Sequence, residues 1–174
     1  MILYSQGLTL RPIDEGDTKN VVEWRNRVKR FLFSQDDVTE EMHLNWLNNY
    51  VKKGKCHQFI IEIDENCEKK KSIGSIFIKN IHEDLSEGEY GIFIGEEVAR
   101  GKGYGRIASE LILDYAFNEL NLSSVVLYVF SFNESAIHLY ENLGFVIQKG
   151  YEETKERDGQ ELQVIKMVLT KKNA

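Results

Sequence analysis

The stretch with the clearest chemical meaning is Arg100-Gly101-Lys102-Gly103-Tyr104-Gly105-Arg106. Its glycines let the backbone turn tightly and let its N–H groups approach a ligand. A helical pattern follows, and a helix start presents unpaired N–H groups with a partial positive charge. Together these suit phosphate oxygens. Other readings compete at this point. The plainest is a flexible turn. A nucleotide-binding P-loop would need a Lys-Ser/Thr ending, which is missing. Gly103-x-Gly105-x-x-Ala108 fits a dinucleotide fingerprint. However, the next strand ends in Phe130-Ser131-Phe132-Asn133, without the acidic residue that should hold a ribose.

A second motif follows. Asn133-x-x-Ala136-x-x-x-Tyr140 leads into Gly144-Phe145. Alone it reads as a capped amphipathic helix with Ala136, Ile137 and Tyr140 facing a core. That explains the aliphatic positions but not the pairing with the glycine loop.

The elements that must position these motifs are legible in outline. Leu8 to Ile13 alternates as a strand. Asp14 caps a helix running to about Val28, with acidic residues in its first turn. Thr39 starts a second helix that ends at Gly54. Gln58–Asp64 and Ser72–Lys79 form a hairpin, with Glu68-Lys69-Lys70-Lys71 as a solvated turn. Glu89–Ile94 is a strand. Tyr104, Ile107, Ala108, Leu111, Ile112, Tyr115 and Ala116 keep helical spacing without a break. Ser124–Phe130 is an apolar strand, and a helix from Asn133 stops at Gly144. Phe145–Lys149 and Leu162–Leu169 complete the sheet, with Asp158-Gly159 as turn chemistry. This order predicts an α/β chain with a mixed sheet flanked by helices, in one domain over residues 1–174.

Composition narrows the function. The net charge of −6 opposes nucleic-acid binding, which needs a basic surface. No apolar run reaches the ~20 residues of a membrane span, and the N-terminus lacks the regions of a signal peptide. Cys56 and Cys67 have no metal-ligand spacing, so no metal is expected. A reduced, cytoplasmic setting follows from that cysteine usage.

The two motifs in this order resemble the GNAT acetyltransferases. That family carries Arg/Gln-x-x-Gly-x-Gly/Ala after one strand and Asn-x-x-Ala-x-x-x-Tyr-x-x-x-Gly-Phe after the next. Here they read Arg100-x-x-Gly103-x-Gly105 and Asn133-x-x-Ala136-x-x-x-Tyr140-x-x-x-Gly144-Phe145. The resemblance implies a central, mostly antiparallel sheet of about seven strands flanked by about four helices. A V-shaped cleft opens between the strands at 89–94 and 124–130. It implies acetyl-CoA as acyl donor, held by Phe93, Ile94, Gly95, Arg100, Gly101, Lys102, Gly103, Tyr104, Gly105, Arg106 and Asn133. Backbone N–H groups from Gly101 to Arg106 would take the pyrophosphate. An N–H near Ile94 would polarise the thioester carbonyl.

The chemistry that follows is transfer of acetyl to a primary amine. An amine of lysine type titrates near ~10.4, so a base must take its proton at neutral pH. Glu89 is the leading candidate, with His82, Asp84 and Glu87 as alternatives. The resemblance places the Tyr140 hydroxyl near the sulfur, where a phenol can protonate the leaving thiolate. Neither cysteine stands in a motif, so attack is direct, in a ternary complex.

The acceptor is read from the N-terminal helices. Five basic residues (Lys19, Arg25, Arg27, Lys29, Arg30) face two acidic ones (Asp17, Glu23) in this segment. Glu23-Trp24-Arg25-Asn26, with His43-Leu44 in the next helix, looks like aminosugar-nucleotide N-acetyltransferases. Trp24, Arg25, Asn26, His43 and Trp46 are the candidate acceptor residues, a tryptophan stacking on a ring and an arginine meeting a diphosphate. The chain is also similar to polyamine and ribosomal-protein N-terminal acetyltransferases. For a polyamine, Asp36, Asp37, Glu40 and Glu41 would supply carboxylates. A non-catalytic acetyl-CoA sensor is the alternative of another class. The expected partner is a small-molecule amine, and sheet edges leave room for a homodimer.

Overall fold

The computed structural model describes residues 1–66 and 69–171. Among these, one sheet holds nine strands. They are β1 (Leu3–Ser5), β2 (Leu8–Pro12), β3 (Cys56–Asn66), β4 (Lys69–Lys79), β5 (Glu87–Ile94), β6 (Ser124–Phe130), β7 (Val146–Ile147), β8 (Glu153–Arg157) and β9 (Gln160–Thr170). The α-helices are α1 (Thr18–Val28), α2 (Glu40–Trp46), α3 (Tyr104–Asp114) and α4 (Glu134–Asn142). The sheet runs β1-β2-β3-β4-β5-β6-β9, and β7 and β8 both pair with β9. Only β5 and β6 are parallel.

Local chemistry explains most boundaries. Asp14 accepts from Gly16 N–H while Asp17 accepts from Asp14 N–H, which starts a 3-10 turn at Glu15–Asp17. The helix expected from Asp14 therefore begins as that turn, and α1 follows. Arg11 donates from both terminal nitrogens to Asp17 and from Nε to Glu62, which ties this turn to the sheet. Thr39 accepts from Met42 N–H at the start of α2, a cap that satisfies an otherwise orphan donor. Beyond α2 a wider π turn, Leu47–Val51, carries the helix to Gly54 at φ +71°. Asp158 and Gly159 have φ of +51° and +75°, the backbone that joins twisted strands in a two-residue hairpin.

Three expectations are corrected. The sheet has nine strands rather than seven, because β1 and β8 are too short or too polar to read. Lys69–Lys71 belongs to β4, paired with Ile63–Asn66, rather than to a turn. Cys67 and Glu68 lie outside the described residues. The strand expected at Phe145–Lys149 shortens to Val146–Ile147, and Phe145 turns into the core at 2% exposure.

Two cores sit on opposite faces. One joins Ala108 and Ile112 of α3 and Tyr140 of α4 to Phe59, Ile61, Ile76 and Leu127 of the sheet. The other joins Val21, Trp24 and Val28 of α1 and Leu47 to Ile60 and Phe93. Adjacent strand residues point to opposite faces, so Phe59 enters one core and Ile60 the other.

The parallel pair does not stay closed. β5 and β6 pair only through Glu87–Glu89 and Ser124–Val126. Past that point β5 continues on β4 as far as Ile94, and β6 continues on β9 as far as Phe130. The strands splay, and their inner edges carry backbone groups without a strand partner.

Candidate active site

The splay and the glycine loop share one end of the sheet. Gly95 N–H donates to Ile73 O. Because bonded pairs alternate along an antiparallel ladder, Phe93 and Gly91 turn their N–H groups to β4. Ile92 and Ile94 turn theirs into the splay. The Ile94 carbonyl is already taken by Arg100 Nε at 3.1 Å, which folds the loop back on the strand end.

Gly101 and Gly103 have φ of +71° and +83°, the left-handed backbone that glycine adopts without strain. A Cβ at either position would meet nothing within 4 Å. Backbone conformation, not crowding, is therefore what calls for glycine there. Arg100 N–H bonds Glu97 O and Arg106 N–H bonds Gly103 O. No hydrogen bond among the described residues uses the five N–H groups between them. No acidic residue stands in the first turn of α3. Arg106 pairs with Glu110, while Lys102 makes no ion pair with a described residue. Unpaired N–H groups at a helix start, without a nearby carboxylate, are an arrangement that can take an anion.

Tyr140 projects from α4 beneath β5. Its ring meets Tyr90 at 5.8 Å and Phe145 at 6.1 Å, both edge to face. Burial pushes the phenol well above its ordinary 10, so the hydroxyl stays protonated at neutral pH. That hydroxyl makes no hydrogen bond to a described residue, whereas Tyr90 shares its own with Ser109 at 2.7 Å. Asn133 stands at the N-cap of α4 without capping it; its Oδ1 accepts from Ser135 Oγ at 3.4 Å, and its amide nitrogen makes no hydrogen bond to a described residue.

Glu89 lies where the splay closes. Its two oxygens are engaged by Lys79 at 3.2 Å and Asn80 Nδ2 at 2.7 Å. His82, Asp84 and Glu87 stand at the closed end, near Ser86 or Lys166. Cys56 is 2% exposed, and burial pushes its thiol up to about 12, which leaves it inert.

The five acceptor candidates part company. Trp24 is 3% exposed, so it has no face for a ring to stack on, contrary to the expectation. It instead packs on Gly95 and donates from Nε1 to Glu96 at 2.7 Å. Asn26 clamps Val38, donating to its carbonyl and accepting from its N–H. Trp46 stacks on Tyr50 and donates to Gln58. Arg25 and His43 come together between α1 and α2. His43 touches Thr18 at 3.2 Å, and its Nε2 is buried without a partner. Burial, helped by the Arg25 charge and opposed by Asp17, holds the imidazole below its ordinary value and neutral. Arg25 makes no hydrogen bond or ion pair with a described residue, and burial lowers its pKa.

Sequence reading missed how α1 meets the cleft. Arg27 donates to Gly95 O at 3.1 Å. The following strap, residues 29–38, then reaches the end of β6. There Phe33 meets Phe130 at 4.8 Å, and Arg157 donates to the carbonyls of Arg30 and Leu32. The strap thus joins the ends of the two splayed strands. These contacts link residues 68 to 127 positions apart, and no local pattern announces them.

Comparison with known proteins agrees with this geometry. The family described as "Acetyltransferase (GNAT) domain" matches residues 7–146. Spermidine N(1)-acetyltransferase of Vibrio cholerae is 30% identical, covering 80% of this chain and 79% of its own. Acetyltransferase PseH of Campylobacter jejuni is 27% identical, covering 83% and 84%. The crystal structure of the V. cholerae spermidine N-acetyltransferase in complex with CoA and spermine superposes with a TM-score of 0.87. It is 26% identical and covers 97% of this chain and 98% of that one.

Proposed function

Because this chain belongs to the GNAT acetyltransferase family and is an acetyl-CoA-dependent N-acetyltransferase, we propose that its acceptor is a small-molecule primary amine carrying an anionic group, a nucleotide-linked amino sugar. In this reading the five uncommitted N–H groups at Gly101–Gly105 hold the pyrophosphate of acetyl-CoA. The thioester arm lies in the splay against the inner edge of β5. The Ile94 N–H donates to the thioester oxygen as negative charge grows there. The amine attacks the carbonyl carbon; the C–N bond forms and the C–S bond breaks. Tyr140 gives its proton to the departing sulfur. Glu89 takes the proton lost by nitrogen, directly or through a water, with Lys79 and Asn80 steadying its carboxylate. Asn133 bonds the coenzyme arm. No acyl-enzyme forms, in keeping with an inert Cys56.

One observation carries the acceptor class: Arg25 is a part-buried guanidinium with no partner among the described residues, and its charge acts on His43, whose buried Nε2 is also without a described partner. A desolvated positive charge is costly unless an anion answers it. A polycation would meet repulsion there.

A second reading, a polyamine acceptor, has its own support. The relatives named spermidine N-acetyltransferase make the comparisons back it better than the amino sugar. Its four carboxylates, Asp36, Asp37, Glu40 and Glu41, are all exposed, and Asp37 already pairs with Lys29 at 2.7 Å.

The two readings separate in one assay, acetyl-CoA-dependent release of free thiol with three acceptors. These are a UDP-linked 4-amino sugar, spermidine, and a peptide with a free N-terminal serine. We expect turnover with the sugar nucleotide and at most traces with the others. Turnover confined to spermidine would replace the first reading with the second.

A further inference from the structure

Between the strap and the β8–β9 hairpin lies a cavity of about 410 Å³ that the proposed chemistry does not use. Arg30, Phe31, Phe132, Arg157, Asp158 and Leu162 line it. The guanidinium of Arg30 lies 4.4 Å over the Phe31 ring, and that of Arg157 lies 4.9 Å over Phe130. Neither pairs with a carboxylate among the described residues. Arg157 uses two donors on the uncharged carbonyls of Arg30 and Leu32. A guanidinium has five N–H donors, so its charge and remaining donors stay available. Asp158 contributes one carboxylate against these two cations. Phe132 stacks on Phe130 at 5.2 Å and 14°, yet it is 46% exposed. Phe130 covers one ring face, Phe31 stands 6.3 Å away at a tilt, and the rest is open.

Forked cations beside the half-open Phe132 ring suit a planar ring bearing phosphate: the guanidinium fork matches phosphate oxygens, and the open part of the ring offers a stacking surface. We infer that the cavity formed by Arg30, Phe31, Phe132 and Arg157 is a nucleotide subsite that holds the far end of the acceptor. This inference rests on the reading of the chain as a transferase for an anionic amine. It goes further by placing the nucleotide on the strap rather than at Trp24 or Trp46. Coenzyme A also ends in a nucleotide. The cavity, however, borders the α1–α2 strap, whereas the coenzyme cradle opens at the N-terminus of α3.

Calorimetric titration with uridine diphosphate and adenosine diphosphate, with and without saturating CoA, tests the assignment. Arg30→Gln and Phe132→Ala change exposed side chains, so both variants should keep the fold and the CoA affinity. We expect a diphosphate to bind the wild type, to bind equally well beside CoA, and to bind each variant about tenfold more weakly. Absence of binding by either nucleotide would overturn the subsite, as would wild-type affinity in both variants. Displacement by CoA would overturn it too, by assigning the cavity to the coenzyme. The anionic-acceptor reading fails separately, through turnover confined to spermidine in the thiol-release assay.

Discussion

Tyr140→Phe is expected to lower kcat by roughly 10²–10⁴-fold while leaving the KM for acetyl-CoA nearly unchanged. The variant keeps the ring that packs on Tyr90 and Phe145. It loses only a hydroxyl that makes no bond to a described residue. Stability should therefore stay within about 0.5 kcal/mol of wild type, and the loss would be chemical. The pH profile adds a second signature. Burial raises the Tyr140 pKa above its ordinary 10, so the acid form persists through the neutral and mildly alkaline range. Activity of the wild type should rise with pH as the amine deprotonates, without a falling limb below about pH 10. Steady-state kinetics from pH 6 to pH 10 check both points. Full activity in Tyr140→Phe across that range would remove the proposed proton donor.

The second large effect is expected at Gly95→Ala. A Cβ at Gly95 would stand 2.0 Å from Cγ of Trp24 and 2.4 Å from its Cβ. Those are the stem of a side chain, not a flexible tip. Trp24 cannot swing away without leaving the core and breaking its bond to Glu96. Overpacking of this kind costs about 1–3 kcal/mol, and more where nothing can relax. At the upper figure, a domain of this size loses roughly 6–12 °C in Tm. Displacing α1 would also pull Arg27 from the Gly95 carbonyl and loosen the strap, so kcat/KM should fall further than stability alone requires. Thermal unfolding of Gly95→Ala and of Gly95→Ala with Trp24→Ala checks the cause. If the double variant is no less damaged than the sum of its single changes, the clash is not the reason.

The fold was legible where local chemistry decides it. The helical spacing from Tyr104 to Ala116 gave α3 and the π turn Tyr115–Glu119 that continues it, because one apolar stripe faces one core. The Asn133 start and the Gly144 stop gave α4, and Gly144 sits at φ +92°. β8 was missed because Glu-Thr-Lys-Glu-Arg has no apolar face; its pairing with β9 and the Asp158-Gly159 turn make it a strand. β1 was missed because three residues are too few for a period to show.

The placement of the candidate residues was legible only where a local motif holds them. The glycine loop, Tyr140 and Asn133 stand within two motifs, so their places before α3 and on α4 were legible from spacing, while their roles came from the family resemblance. Trp24 was misread because its partner, Gly95, lies 71 positions away, and only the fold reveals that its faces are covered. The basic run from Lys19 to Arg30 was one feature in the sequence and is several in space. Arg27 pairs with Glu23 and bonds the end of β5, Lys29 pairs with Asp37, and Arg25 has no partner among the described residues. Charge counting along a chain cannot make that division, because the Gly95 carbonyl that holds Arg27 lies on another element.

We propose that the chemistry occurs in the splay between β5 and β6. A crystal structure with acetyl-CoA bound tests it most directly. The expected result is a thioester arm bonded to the inner edge of β5 at Ile92–Ile94, its oxygen facing the Ile94 N–H and its sulfur within hydrogen-bond reach of the Tyr140 hydroxyl. An arm lying outside the splay, or a sulfur remote from Tyr140, would contradict the account.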